Sequence, residues 1–97
     1  MAAHLLVEYT ARDDAVDEAQ AAARRFWEDS LEEPHLVRHE AHRIGETRTF
    51  LHVLEFEDAL ALREHRERPH TETFTEEITE LLDGELDVRR LHPVSEG

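Results

Sequence analysis

The chain contains no cysteine and no lysine among its 97 residues. Disulfides, thiolate metal sites and cysteine nucleophiles are therefore excluded, as are lysine Schiff bases and the lysine of a phosphate-binding P-loop. Glycine occurs three times, and no glycine-rich nucleotide loop can be drawn from it. No apolar run approaches the length needed to span a bilayer, and no N-terminal run resembles a signal peptide. The expectation is a soluble, cytoplasmic protein. Aromatic residues make up only 6%, so the core is modest and a partner subunit would help to complete it. The length fits one domain over 1–97, with 94–97 as a tail.

Positive charge is also scarce. All 11 basic residues are arginines, set against 24 carboxylates, for a net charge of −13. Such a surface repels nucleic acid and anionic membranes. Salt in the cytoplasm would screen the self-repulsion, and a solvated acidic surface is the simpler reading.

What is present has a clear order. His4-Leu5-Leu6-Val7-Glu8-Tyr9-Thr10 reads as a strand. Asp13-Asp14 offers a helix N-cap, with Asp17 in a capping-box-like position. Val16, Ala19, Ala23, Phe26 and Ser30 then form a stripe of mostly small side chains, suited to lying close on a sheet, and Pro34 ends the helix. His35–Ile44 and Thr47–Phe56 read as two strands joined at Gly45-Glu46. Asp58 caps a helix over Ala59–Arg66, and Pro69 starts another segment whose face carries Phe74, Ile78 and Leu81. Gly84 stops that segment, and Glu85–Leu91 forms a last strand.

The sum is β-α-β-β-α-β, a ferredoxin-like α+β plait with a four-stranded antiparallel sheet and two helices on one face. In the third strand Phe50, His52, Leu54 and Phe56 point one way, while Leu51, Val53 and Glu55 point the other. Both sets are largely apolar. Two helices can cover only one face, so the pattern predicts a homodimer through the opposite one.

Eight histidines invite a metal reading. His35, His39 and His42 would share a face on a helix. On a strand, His35 and His39 fall on one face and His42 on the other, so the trio cannot converge. His39-Glu40-Ala41-His42 likewise lacks the spacing of a zinc-protease motif. No metal is expected. His65 and His70 are better candidates for chemistry, since each lies on an inward helical stripe and the break at Pro69 lets the rings approach one another. The structural alternative is a pair of half-buried histidines that stabilise the kink. Trp27, the only tryptophan, reads first as a packing residue whose indole N–H needs a partner if buried.

Glu55-Phe56-Glu57-Asp58, then His65-Arg66-Glu67-Arg68-Pro69-His70-Thr71, then Leu81-Leu82-Asp83-Gly84 and a strand from Leu86 to Leu91 together resemble the antibiotic biosynthesis monooxygenase family, small dimeric α+β-barrel proteins. The resemblance implies a cofactor-independent monooxygenase oxidising a small aromatic or quinol-type substrate with O2. It also implies His65, His70 and His52 as catalytic residues, with either His65 or His70 as the base. Phe56, Tyr9, Leu54, Leu62, Phe74 and Trp27 are the expected walls of the substrate cavity. Some members place Asn and Trp where this chain has His52 and Phe56. Haem-degrading members need Asn, Trp and His on the first strand, third strand and second helix. Only His65 fits that set, which disfavours haem. An isomerase or lyase of the same fold, or a non-catalytic ligand-binding module, are the alternatives.

Overall fold

The computed structural model describes residues 1–95. Residues 96 and 97 of the expected tail lie outside them. The elements are β1 (Ala3–Thr10), α1 (Val16–Ser30), β2 (Leu36–Arg43), β3 (Thr49–Phe56), α2 (Ala59–Glu67), α3 (Pro69–Thr79) and β4 (Asp87–Leu91). The strands form one antiparallel sheet in the order β2-β3-β1-β4, the plait expected from the element order. The second helical layer is divided because Pro69, lacking an N–H, occupies the first turn of α3 after an extended Arg68. Among the described residues no helix is long and apolar enough to cross a membrane.

Strand alternation sets the core. Along β1 and β3 every second residue is buried, and Leu5 faces Leu54, Val7 faces His52 and Tyr9 faces Phe50 across the ladder. These residues meet Ala19, Ala22 and Phe26 of α1, Ala61 and Leu62 of α2, and Phe74 and Ile78 of α3 in one cluster. Small residues on α1 let it approach the sheet, so Phe26 is the one large side chain that this helix drives into the centre. On the other face Leu6, Leu51 and Val53 remain half-buried, rimmed by His4, Glu8 and Glu55.

Three local expectations need correction. Asp13 and Asp14 do not cap α1: the N-cap is Ala15, with no side-chain bond to the helix. The buried Ala15 and Ala19 fix where the helix meets the sheet, so packing overrides capping preference here. Strands β3 and β4 begin at Thr49 and Asp87, each two residues later than expected. A bulge between Leu36 and Arg38 shifts the register of β2 against β3. One extra residue reverses the strand's parity, so His35 and His39 do not share a face. His39 is buried, while His35 is exposed and hydrogen-bonds Glu57 through Nδ1 at 2.8 Å.

The cap at Asp58 is formed as expected, its carboxylate accepting from the Ala61 N–H at 2.8 Å. Replacing Asp58 by Ala should cost about 1 kcal/mol. Urea denaturation measures this directly, and an unchanged midpoint would show that α2 is held by packing alone.

Candidate functional site

Burial of polar side chains marks the site. Among the described residues five polar or charged side chains are buried: Ser30, Glu33, His39, His52 and His65. All belong to two hydrogen-bonded groups arranged around Phe26.

The first group is a chain. Ser30 sits in the last turn of α1, where its hydroxyl reaches back to donate to the Trp27 carbonyl at 2.7 Å. That use of its only hydrogen makes Ser30 Oγ the acceptor from His39 Nδ1–H, also at 2.7 Å. Burial pushes the His39 ring down to a pKa of about 3, and the nearby His52 and His65 lower it further. The ring is therefore neutral, and its Nε2 accepts from His52 Nδ1–H at 2.8 Å. Burial likewise takes His52 down to about 4, with His42 contributing. Its remaining Nε2 accepts from the Tyr9 hydroxyl at 2.7 Å. Burial raises the Tyr9 pKa far above its ordinary value, so the phenol keeps its proton. Each link has one hydrogen and one lone pair, which gives the chain a single direction from Tyr9 to Trp27. The Trp27 indole N–H donates to the His39 carbonyl at 2.8 Å and ties α1 to β2 a second time.

The second group centres on Glu33, in the connection between α1 and β2. Its Oε2 accepts from His65 Nδ1–H at 2.6 Å and from His70 Nε2–H at 2.7 Å. Burial alone would raise the Glu33 pKa, but the two hydrogen bonds and the charge of these histidines outweigh it and the net shift is downward. Arg68 Nε lies 3.2 Å from Glu33 Oε1, yet it is buried without a hydrogen-bond partner, so its N–H is not aimed at the oxygen and the attraction is Coulombic. The Thr71 hydroxyl donates to the His65 carbonyl at 2.7 Å across the α2–α3 break. Fixed through Nδ1, His65 has its Nε2 free of hydrogen bonds among the described residues.

Phe26 connects the two groups. Its ring lies 5.2 Å from His39, 5.4 Å from His52, 5.6 Å from His65 and 6.5 Å from His70, and it stacks on Phe74 at 4.2 Å. Phe56 lies 5.0 Å from His65, while Tyr9 stacks on Phe50 at 5.6 Å. Leu54 and Leu62 are buried in the same core.

A cavity of about 680 Å³ opens between α1 and β2, lined by Gln20, Ala23, Arg24 and Trp27 on one side and by residues 39–43 and Phe50 on the other. Of the expected site residues only Trp27 lines it. His65 and His70 converge on one carboxylate, as their helical stripes imply, and His52 belongs to the other group. Sequence reasoning passed over Glu33, read Ser30 only as part of the packing stripe of α1, and weighed His39 only as a metal ligand. Two inward-facing histidines call for a buried counter-charge, and that was the available signal for Glu33.

Glu33, His65 and His70 are also the one group among the described residues that offers three metal-ligating atoms, all within 4.8 Å of one another. Two ligands each about 2.0–2.1 Å from a metal lie about 3 Å apart or more. The observed 2.6 and 2.7 Å are hydrogen-bond distances, so the three side chains would have to spread to admit an ion.

The chain has close structural relatives. The sequence pattern of the antibiotic biosynthesis monooxygenase family matches residues 2–77, and the chain belongs to that family. Among curated proteins none matches it in sequence. Rv0793 from Mycobacterium tuberculosis superposes with a TM-score of 0.91 at 20% identity, covering 99% of this chain and 98% of that one. A conserved protein from Methanosarcina mazei Go1 gives 0.87 at 17%, covering 94% and 91%. SnoaB, a cofactor-independent oxygenase from Streptomyces nogalater, gives 0.84 at 14%, covering 98% and 95%. At these identities the likeness establishes the fold.

The buried chain predicts an acid response. Unfolded, His39 and His52 take up protons as pH falls through about 6.5, whereas folded they do so only near 3 and 4. The unfolded state therefore binds more protons in this window, and stability falls with pH. Each ring contributes up to about 1.4 kcal/mol per pH unit, so about 2–4 kcal/mol should be lost between pH 7 and pH 5. The Glu33 contribution disappears only below its ordinary value of 4.5. Denaturant titrations at these pH values check the trend, and a flat profile would contradict the neutral, buried assignment.

Proposed function

We propose that this member of the antibiotic biosynthesis monooxygenase family oxidises a small aromatic, quinol-type substrate with O2 and without a cofactor. The observation that carries the reading is the Glu33–His65 pair: a buried carboxylate holds an imidazole by Nδ1 and leaves Nε2 as a lone-pair base beside Phe56. In such a pair the carboxylate fixes the tautomer and stabilises the imidazolium that forms when the ring takes a proton. His70, bonded to the same oxygen, shares that charge. His52, held neutral between His39 and Tyr9, gives the other side of Phe26 a fixed polar wall. Trp27 and Phe50 present the aromatic surface on which a substrate enters, and Phe26 lies against both His39 at the cavity wall and His65. In this reading Phe26 turns aside as the substrate settles, against walls that include Tyr9, Leu54, Leu62 and Phe74.

The chemistry then balances without an added reductant. His65 removes a proton from the substrate. The resulting anion gives one electron to O2, and the radical pair joins carbon to oxygen as a peroxide. Protonation and loss of water leave a carbonyl on the ring, so one oxygen atom enters the product and the other becomes water. A cavity poor in water protects the anion until O2 arrives.

The outer face of the sheet supports a homodimer. Leu6, Leu51 and Val53 form a half-buried apolar centre, bordered by Glu8–Arg89 at 3.3 Å and His4–Glu55 at 3.8 Å. A second copy related by a two-fold axis would cover this face with its own. Light scattering should give twice the chain mass at micromolar concentration. A folded monomer there would remove the dimer from the account.

Oxygen uptake with a panel of hydroquinones and hydroxyanthrones tests the reaction. His65→Ala should lower kcat by about 10²–10⁴-fold while the fold survives, and Glu33→Gln should lower it in the same direction with little change in KM. Normal turnover by His65→Ala would defeat the assigned base. The geometry of Glu33, His65 and His70 favours one competing reading. Two histidines and a carboxylate are also the ligand set of non-haem iron oxygenases. Dialysis against a chelator distinguishes the two, since uptake should persist under the cofactor-independent mechanism and vanish under the metal-dependent one.

A further inference from the structure

The arginines of this acidic chain are not evenly neutralised. Six have a carboxylate within 4 Å: Arg12 with Asp14, Arg25 with Glu77, Arg38 with Glu40, Arg48 with Asp83, Arg68 with Glu33 and Arg89 with Glu8. The other five, Arg24, Arg43, Arg63, Arg66 and Arg90, have none among the described residues, and of these Arg24 and Arg43 line the cavity between α1 and β2. With 24 carboxylates in the chain, two unpaired guanidinium groups at one cavity form a local exception to the negative field. The one acidic side chain at the cavity, Glu40, is already engaged, by Arg38 at 3.0 Å and His42 at 3.1 Å.

The cavity is otherwise prepared for a flat ring. Trp27 is anchored by its N–H on the His39 carbonyl, and Phe50 is buried and fixed by its stack on Tyr9. Arg43 reaches across Phe50, its guanidinium carbon 5.9 Å from the ring centroid. Its Nε donates to the Thr47 carbonyl at 2.6 Å, which holds the side chain while its two terminal nitrogens have no partner among the described residues. A guanidinium presented in that way matches the two oxygens of a carboxylate.

We infer that the cavity selects aromatic compounds bearing an ionised carboxylate, the ring lying against Trp27 and Phe50 and the carboxylate held by Arg43 and Arg24. This names the substrate class for the proposed oxygenation and rests on that reading only for the claim that the bound compound reacts. The binding itself stands on the cavity alone.

Calorimetric titration of the protein with 1-hydroxy-2-naphthoate and with its uncharged amide, 1-hydroxy-2-naphthamide, separates charge from ring recognition. The carboxylate should bind about tenfold or more tightly than the amide at low salt, a preference expected of charge-assisted hydrogen bonds. High salt should reduce it. In the Arg24→Gln/Arg43→Gln double variant the preference should disappear, while the amide binds within about threefold of its original affinity; circular dichroism verifies that the variant folds. Equal binding of the two compounds overturns the inference, as does a preference that survives in the double variant, or no binding of either. Oxygen uptake is scored separately with a carboxylated quinol and its amide. Carboxylate-selective binding without uptake keeps the inference and removes the monooxygenase reading. Uptake with no preference for the carboxylate does the reverse.

Discussion

The structure depends on a single constraint: imidazole, phenol and carboxylate groups lie inside a core too small to dilute them, and each must find a partner there. An unpaired buried polar group costs about 1–3 kcal/mol, a large fraction of what a domain of this size can hold in reserve. His52 is fully buried on β3, so both of its nitrogens have to be satisfied by neighbours. Tyr9 on β1 supplies one bond and His39 on β2 the other, and the chain ends on α1 at Ser30 and Trp27. Three strands and a helix are thereby held in register by one directed line of hydrogen bonds. Apolar contacts around Phe26 supply the bulk of the burial, but they could be made by many sequences. The directed line is what makes this packing specific.

The second group does for the connections what the first does for the sheet. Glu33 lies outside regular structure, yet it gathers His65 from α2, His70 from α3 and Arg68 from the break between them. A buried carboxylate is tolerable because three potential cations surround it. The same arrangement that stabilises the kink leaves one imidazole nitrogen free, so the structural and the catalytic readings of His65 and His70 need the same geometry. A structural role for this pair therefore does not compete with a chemical one.

Much of this was legible in the sequence, for physical reasons that differ by element. Alternation in β1 and β3 is strict because one face is buried by helices, and it placed His52, Leu54 and Phe56 together on the face that the structure buries. The inward stripe of α2, with Ala61, Leu62 and His65, was readable because Asp58 fixes where the helix begins and hence its phase. Elsewhere a single local event broke the inference. The bulge near Val37 shifts the parity of β2, and no alternation rule can register an inserted residue without the partner strand. His39 was therefore grouped with His35, although only His39 enters the core. Glu33 was missed because Glu32 and Glu33 are chemically identical neighbours in an acidic chain, and which one turns inward is settled by the backbone after α1. Arg24 and Arg43 line one cavity from different elements, far apart in the sequence, and nothing local connects them.

Imidazole ¹⁵N chemical shifts, recorded from pH 8 to pH 5 with assignment through His39→Gln and His52→Gln variants, test the directed chain most directly. The hydrogen-bond directions require both rings to be neutral and protonated at Nδ1 throughout, with no titration in that interval. Rings protonated at Nε2, or titrating near the ordinary histidine value of 6.5, would contradict the buried chain and with it the specificity ascribed to this core.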